Sequence, residues 1–321
     1  MNLYVIKEER AVDITDISGA ISLSTSMDTL GASLAFNIAR NYNDTSFIFS
    51  DEIETGDIII LNNTKELFRG VIVNITTTKF NRTIECLDYS FYLNKNKVIK
   101  QFEDISASVA IKQLLQEIDA PIGDISNIST SISKLYYSNT IAEIINDILK
   151  QVNEELGIKY KLEFIDNKFN VNPFKKVNVS FRYRQTGNES ISESILEMKN
   201  RILVTSNEQE STEILAVAED NTNIEKYGSL QEIINVEPNK DEAKVRNVAK
   251  MKLKELNKVF KTVSLEGFGD DEFRAGRVVY LNNPKLKLYG EYLINSCVHT
   301  WRKGKHIVNL AILLQAASGR Y

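Results

Sequence analysis

Residues 51–70, DEIETGDIIILNNTKELFRG, return without a gap as residues 271–290, DEFRAGRVVYLNNPKLKLYG, at a constant offset of 220. A chain that carries an internal repeat must build the same backbone twice, which limits its architecture before any other feature does. Asp51, Glu52, Gly56, Leu61, Asn62, Asn63, Lys65 and Gly70 recur as Asp271, Glu272, Gly276, Leu281, Asn282, Asn283, Lys285 and Gly290. Ile58 and Ile59 become Val278 and Val279, so the apolar pattern is kept. Each copy reads as strand, turn, strand. The first glycine marks a backbone conformation closed to other residues. A β-branched apolar run follows, and Asn-Asn makes the turn, because asparagine tolerates left-handed geometry. The second glycine precedes another apolar run, Val71 to Ile75 or Glu291 to Ile294. The two copies are expected to superpose as one hairpin placed in two separate barrels.

The rest of the chain is read around these copies. Leu34, Phe36 and Ile38 alternate with Ala35, Asn37 and Ala39, and Phe47-Ile48-Phe49 and Thr83 to Asp88 are further strand signals. Residues 1–98 are therefore expected to form a first β-barrel. Residues 99–176 change character. Ser106 is a candidate cap for a helix through Val109, Ile111, Leu114, Leu115 and Ile118, ended by Pro121 and Gly123. A second helix fits Thr140 to Leu156, with Gly157 placed to terminate it. The strands Ile158 to Phe164 and Lys168 to Val171 follow, joined by an Asp166-Asn167 turn. From 177 to 321 the chain returns to β, with Val177 to Tyr183 alternating strictly and one helix at 241–259 crossing the second barrel. The expected class is α+β: two similar tube-like β-barrels separated by a small helix-plus-hairpin domain.

Composition narrows the function. Net charge is -4 and no basic block is interleaved with aromatics, which argues against a nucleic-acid reader. The N-terminus lacks the apolar core of a secretory signal, and no apolar run approaches membrane length. Synthesis in a bacterial cytoplasm without export is expected. Cys86 and Cys297 give no disulfide framework. Cys297 and His299 share a strand face and His306 lies across a short turn, but zinc asks for four ligands, so no metal is expected there. Cys86 sits between the acids Glu85 and Asp88, which blunt a thiol nucleophile. The acid pairs Asp51-Glu52 and Asp270-Asp271 belong to or adjoin the repeat and read as structural rather than as a glycosidase pair. Gly267-Phe268-Gly269 lacks the setting of a dinucleotide loop. With two histidines in all, the chain offers few groups that titrate near neutrality. Catalytic residues, cofactor and metal are all expected to be none.

Several short stretches stand out: Ser194 to Arg201 (SILEMKNR), Lys226-Tyr227-Gly228, Gly276 with Val278 to Leu281, Gly290-Glu291-Tyr292 and Val298-His299-Thr300-Trp301. They resemble the tail-hub proteins of contractile phages and phage-derived particles, the XkdQ/YqbQ-type family. The N-terminal half matches more loosely through Gly56-Asp57, Leu67 to Gly70 and Cys86-Leu87-Asp88. The resemblance implies a non-enzymatic baseplate hub that forms a homotrimer and carries two tube-like barrels per subunit. It implies contacts with a hexameric tail tube protein and a trimeric central spike. A tape-measure protein, a LysM-containing baseplate protein and the baseplate wedge are the further partners of such a tail. A final location in a virion or a bacteriocin-like particle follows. Some related hubs carry an appended peptidoglycan-cleaving domain, and none is expected here. A carbohydrate- or receptor-binding β protein and a peptidoglycan hydrolase are the alternatives. In a trimer, Glu54 and Asp57 of the first copy, aligned with Arg274 and Arg277 of the second, would be candidate charge pairs between barrels.

Overall fold

A computed structural model describes the chain except for residues 9, 42, 45–51, 183–185, 207–212, 237–241 and 315–321, with backbone alone at 175–182, 186, 244 and 313. Asp51, Phe47-Ile48-Phe49, Tyr183 and Asp241 thus lie outside the described residues, as do the side chains of Val177 to Arg182. The first 88 residues give β1 (Asn2–Lys7), β2 (Arg10–Asp13), β3 (Ser18–Ser26), β4 (Ala32–Ala39), β5 (Ile58–Asn62), β6 (Glu66–Thr77) and β7 (Asn81–Asp88). The middle follows with α1 (Ser90–Lys95), β8 (Lys97–Ser106), α2 (Ala107–Gln116), β9 (Ile122–Ile125) and β10 (Ser131–Thr140). It ends with α3 (Ile141–Leu156), β11 (Tyr160–Ile165) and β12 (Lys168–Pro173). Then come β13 (Lys175–Arg182), β14 (Thr186–Ser194), β15 (Arg201–Ser206), β16 (Ile214–Glu219), α4 (Asn221–Tyr227) and β17 (Gln231–Val236). The last elements are α5 (Glu242–Leu256), β18 (Phe260–Phe268), β19 (Arg277–Asn283), β20 (Leu288–Arg302) and β21 (Lys305–Leu313).

The chain divides into two compact units, one of Met1–Glu189 with Ser264–Ile312 and one centred on Ser190–Val263. These limits differ from the expected boundaries at 98/99 and 176/177. Residues 99–176 have a core of their own but cluster with the long sheet.

That sheet has thirteen strands, eleven along one path and two, β19 and β13, branching from it at β20. One run of it is β3-β4-β7-β6-β5, continued by β1 and β2, and the other is β14-β18-β21-β20-β19, continued by β13. The same order of strands therefore occurs twice, with β3 matching β14, β4 matching β18, and so on. The runs are joined where β20 pairs antiparallel with β3, from Ser296↔Ser26 to Trp301↔Ile21. Both hairpins belong to one continuous sheet, which corrects the expectation of two separate barrels; no closed barrel is present among the described residues. The physical reason is that β20 runs well past its hairpin partner β19, and β3 pairs with the length of edge that β19 leaves free. Alternation supplies the core on one face: Leu34, Phe36, Ile38, Ile59, Leu61, Ile84 and Cys86 cluster beneath it.

The second helix and the hairpin of the middle segment keep to their sequence signals, whereas Ser106 precedes α2 without a side-chain capping bond. Thr140 caps α3 through a reciprocal bond set with Glu143, and Gly157 ends the helix in left-handed geometry at φ 67°. Its apolar stripe of Ile141, Ile144, Ile145, Ile148, Leu149 and Val152 is buried against α2, β11 and β12. Asp166 and Asn167, at φ 52° and 58°, make the tight turn between β11 and β12. The β8–β10 ribbon and the parallel addition of β9 to β12 had no sequence signal.

In the second unit β15 is flanked by β16 antiparallel and β17 parallel. Helix α5 covers the sheet with Val245 and Ala249 over Ile202, Val204, Ala216 and Val236. Asn200, fully buried, donates to the Gly228 carbonyl at 2.7 Å and accepts from the Leu230 amide at 2.8 Å. This ties Lys199-Asn200-Arg201 to the Lys226-Tyr227-Gly228 turn.

Candidate functional site at the joint between the two hairpins

The two hairpins share backbone detail. Gly56 and Gly276 sit at φ 96° and 82°, where an L side chain is strained. Their amides donate to Ile72 O and Ile294 O, both at 2.9 Å. Each glycine lies within a tight turn, closed by Asp57 N to Glu54 O at 3.3 Å and Arg277 N to Arg274 O at 3.2 Å. Inward residues correspond too: Ile53, Ile59 and Leu61 are buried, as are Phe273, Val279 and Leu281. A β-bulge interrupts the next pairing in both, between Ile72 and Asn74 against β7 and between Ile294 and Ser296 against β21.

The second strands are not related by 220, however. Ile59 faces Gly70, whereas Val279 faces Tyr292, so the offset there is 222. The turn Pro284–Lys287 holds the extra length; a shift of two keeps every side chain on its face. Gly70 and Gly290 are consequently aligned in sequence but not in space. A Cβ on Gly70 would come within 2.2 Å of the Leu87 carbonyl, while Gly290 is open on that side and stands at φ 128°. Asn62 is half-buried at the end of β5 and Asn282 is exposed. Asn63 is exposed, but Asn283 is buried and bonds Glu189 Oε1 at 3.1 Å and the Leu286 amide at 3.1 Å.

The turn of the first hairpin rests on the start of the second. Asn63 Nδ2 donates to both Asp271 oxygens at 3.0 Å, and Thr64 Oγ1 donates to Asp271 Oδ2 at 2.7 Å. Lys65 pairs with Glu272. Burial pushes the Asp271 carboxyl up, but the Asn63 and Thr64 bonds outweigh it and hold it below the ordinary range. Deeper in, Ala275 N donates to Thr25 Oγ1 at 3.0 Å and Arg274 Nη1 reaches Leu67 O at 3.4 Å. These contacts span more than two hundred residues of sequence, and only the acidic pair of the repeat hinted at them.

The four charges singled out in sequence do not pair with each other within the chain. Asp57 pairs with Lys7 at 2.7 Å and accepts the Glu54 amide at 2.8 Å. Glu54 is exposed. Arg277 instead bonds Glu163 of β11 at 2.7 Å, with both side chains about 15% exposed or less. Lys161 stands beside them and donates to the Ala275 carbonyl at 2.7 Å. Burial pulls Lys161 down to about 8, against the attraction of Glu163. Burial pushes Glu163 up, yet Arg277, Lys161 and Arg274 together keep it below its ordinary value.

Cys297 and His299 on β20 come together with His306 on β21. His299 Nε2 donates to the Phe273 carbonyl at 2.7 Å, so its Nδ1 accepts from His306 Nε2 at 2.9 Å. Cys297 Sγ lies 3.3 Å from His299 Nε2. The Trp301 ring stacks on both imidazoles, with centroids 5.4 and 4.4 Å away. Burial drops His299 to about 4 and lowers His306 as well. Burial raises the thiols of Cys297 and Cys86. The ring nitrogens facing the cluster are thus occupied by hydrogen bonds. No group of three or more His, Cys, Asp or Glu side chains among the described residues is placed to hold a metal ion, and no helix there is long and apolar enough to cross a membrane.

Comparison with known proteins gives this architecture a class. The fold is that of phage tail proteins: it is similar to the 43 kDa tail protein of prophage MuSo2 from Shewanella oneidensis, with a TM-score of 0.73 at 10% identity over 97% of this chain and 98% of that one. It is also similar to the E. coli c3393 protein, with a TM-score of 0.57 at 7% identity over 100% of this chain and 79% of that one. That protein is described as a type VI secretion component with structural similarity to the T4 bacteriophage tail proteins gp27 and gp5. The chain belongs to the YqbQ-like family, whose pattern matches residues 21–313. It is 23% identical to the phage-like element PBSX protein XkdQ of Bacillus subtilis over 98% of this chain and 97% of that one. It is accordingly a structural protein of the phage tail and baseplate type.

Proposed function

We propose that the chain is the hub of a contractile-tail baseplate, working as a homotrimer that adapts a hexameric tail tube to a trimeric central spike. The observation that carries this is the strand order that occurs twice in one sheet. Two like modules per chain, in a trimer, put six like surfaces in a ring. One face can then meet six-fold tube subunits while the rest of the assembly keeps three-fold symmetry. In this reading residues 1–98 and 177–321 supply the tube-like modules and 99–176 an outer helix-plus-hairpin domain. The tube and spike proteins are the direct partners; a tape-measure protein, a LysM-containing protein and the wedge are its neighbours in the particle, phage or bacteriocin-like. The role is assembly rather than catalysis, in keeping with the histidines being hydrogen-bonded and the thiols buried inside the fold. Counting hub copies per tail by cryo-electron microscopy or quantitative mass spectrometry tests it: three are expected, and any other number overturns the adaptor.

A further inference from the structure

The two long strands β6 and β20 are matched residue for residue beyond their shared bulge, but their edges are used differently. Asn74, Ile75, Thr76 and Thr77 correspond to Ser296, Cys297, Val298 and His299. In β20 these residues are paired on both sides, with β21 and with β3. In β6 they pair with β7 on one side, and no strand among the described residues lies on the other. Strand β14, at one end of the long sheet, likewise has one edge without a partner strand among the described residues.

Strand β14 occupies the place in the second run that β3 occupies in the first, and the two sequences match. Ser18 to Ser26 reads SGAISLSTS and Thr186 to Ser194 reads TGNESISES, so Gly19, Ser22, Ser24 and Ser26 return as Gly187, Ser190, Ser192 and Ser194. Each glycine abuts the neighbouring strand: a Cβ on Gly19 would touch Asn37, and one on Gly187 would meet Glu266. The sheet therefore ends in two open edges of complementary kind, one equivalent to β20 and one to β3.

We propose that β14 of one chain adds antiparallel to the open edge of β6 in a second copy, repeating between chains the β3–β20 pairing made within one. Carrying the internal register across sets Ser194 opposite Asn74, Glu193 opposite Ile75, Ser192 opposite Thr76 and Ile191 opposite Thr77. Main-chain bonds along an edge supply the attraction, and the match of register supplies selectivity. The contact is heterologous, so it closes only when the rotation between copies closes, which three copies satisfy in the hub reading on which this inference rests. Charge agrees with it. Within the chain the first turn, with Lys65, sits on Asp271 and Glu272. Between chains the second turn, with exposed Lys285 and Lys287, would come to exposed Glu52 and Glu54 of the next copy.

The test is a disulfide. Thr76→Cys with Ser192→Cys in the full chain should give, on oxidation, a reducible covalent trimer on denaturing gels, while each single variant stays monomeric. The internal counterpart, Ser24→Cys with Val298→Cys, should form its bond within one chain and controls for geometry. Lys287→Glu should lower the cross-linked fraction several-fold, and Glu52→Lys should restore it. A trimer by native mass spectrometry without the 76–192 bond, alongside a control that does form, overturns the seam and leaves the hub standing. Cross-linked ladders running past three overturn ring closure. A chain that stays monomeric at high concentration, with tails holding other than three copies, overturns the hub and the seam together.

Discussion

The hairpin at residues 52–77 and the hairpin at 272–302 have the same skeleton and opposite surroundings. Both begin at a positive-φ glycine, bury the same positions of their first strand and bulge at the same point of their second. Past the bulge, the first presents Asn74, Thr76 and Thr77 to solvent, whereas the second pairs with β3 and buries Cys297, His299 and Trp301, the first two bonded to the Phe273 carbonyl. The difference teaches that side-chain chemistry followed the fate of the strand edge rather than the backbone. Where the edge is covered, buried imidazoles and a thiol are tolerated because their polar atoms find partners. Where it is open, short polar residues keep the strand from indiscriminate pairing.

The sharpest way to break the comparison is through the arginine of the second hairpin. Arg277→Glu leaves Glu163 facing a like charge in a nearly buried site, and should cost about 3–5 kcal/mol in chemical denaturation. The matching pair of the first hairpin, Lys7 with Asp57, is more exposed, so Lys7→Ala should cost only about 0–1 kcal/mol. Equal costs would mean that the Arg277 site is solvated. For the charge-pair reading, it follows that assembly defects in Arg277→Glu must be separated from misfolding.

Acid should distinguish the hairpins next. His299 is held neutral to about pH 4 in the fold, while the unfolded chain takes up that proton near 6.5. The unfolded state therefore binds more protons in that window, and stability falls as pH drops from 6.5 towards 4, by about 3 kcal/mol. His306, also lowered, adds in the same direction. Above 6.5 both states are neutral and the contribution is flat. The equivalent of His299 in the first hairpin is Thr77, which does not titrate. Unfolding midpoints of wild type and His299→Gln across this range check it; an unchanged slope in the variant would assign the effect elsewhere.

The smallest difference should come from the glycines. Gly56→Ala meets open space and carries only the strain of positive φ, about 1 kcal/mol, whereas a Cβ at Gly276 also meets Lys161 Cδ at 2.8 Å. Gly276→Ala should therefore lower the thermal midpoint more than Gly56→Ala does, and the two should be equal if Lys161 moves aside freely.

Much of this was legible in the residues. The Gly-apolar-Asn-Asn pattern located β5 and β19, Thr140 and Gly157 bounded α3, and Asp166-Asn167 fixed a turn, because each signal acts through its own backbone. The match between β3 and β14 was equally present in sequence, but serine-rich strands are too common to stand out until topology places them in equivalent positions. The displaced second strand was hidden because a gapless alignment cannot register an insertion that the two glycines happen to mask.

What the sequence alone determined is local: which stretches are strands or helices, where they turn, and that one hairpin is made twice. What only the tertiary structure decided is which edges meet. It joined the hairpins into one sheet through β20 and β3, gave Arg277 a partner within the chain in Glu163, and left β6 and β14 with edges to spare among the described residues. Pairing of strand edges depends on main-chain groups that every residue carries alike, so composition is nearly silent about it, and the choice falls to the geometry of the whole sheet.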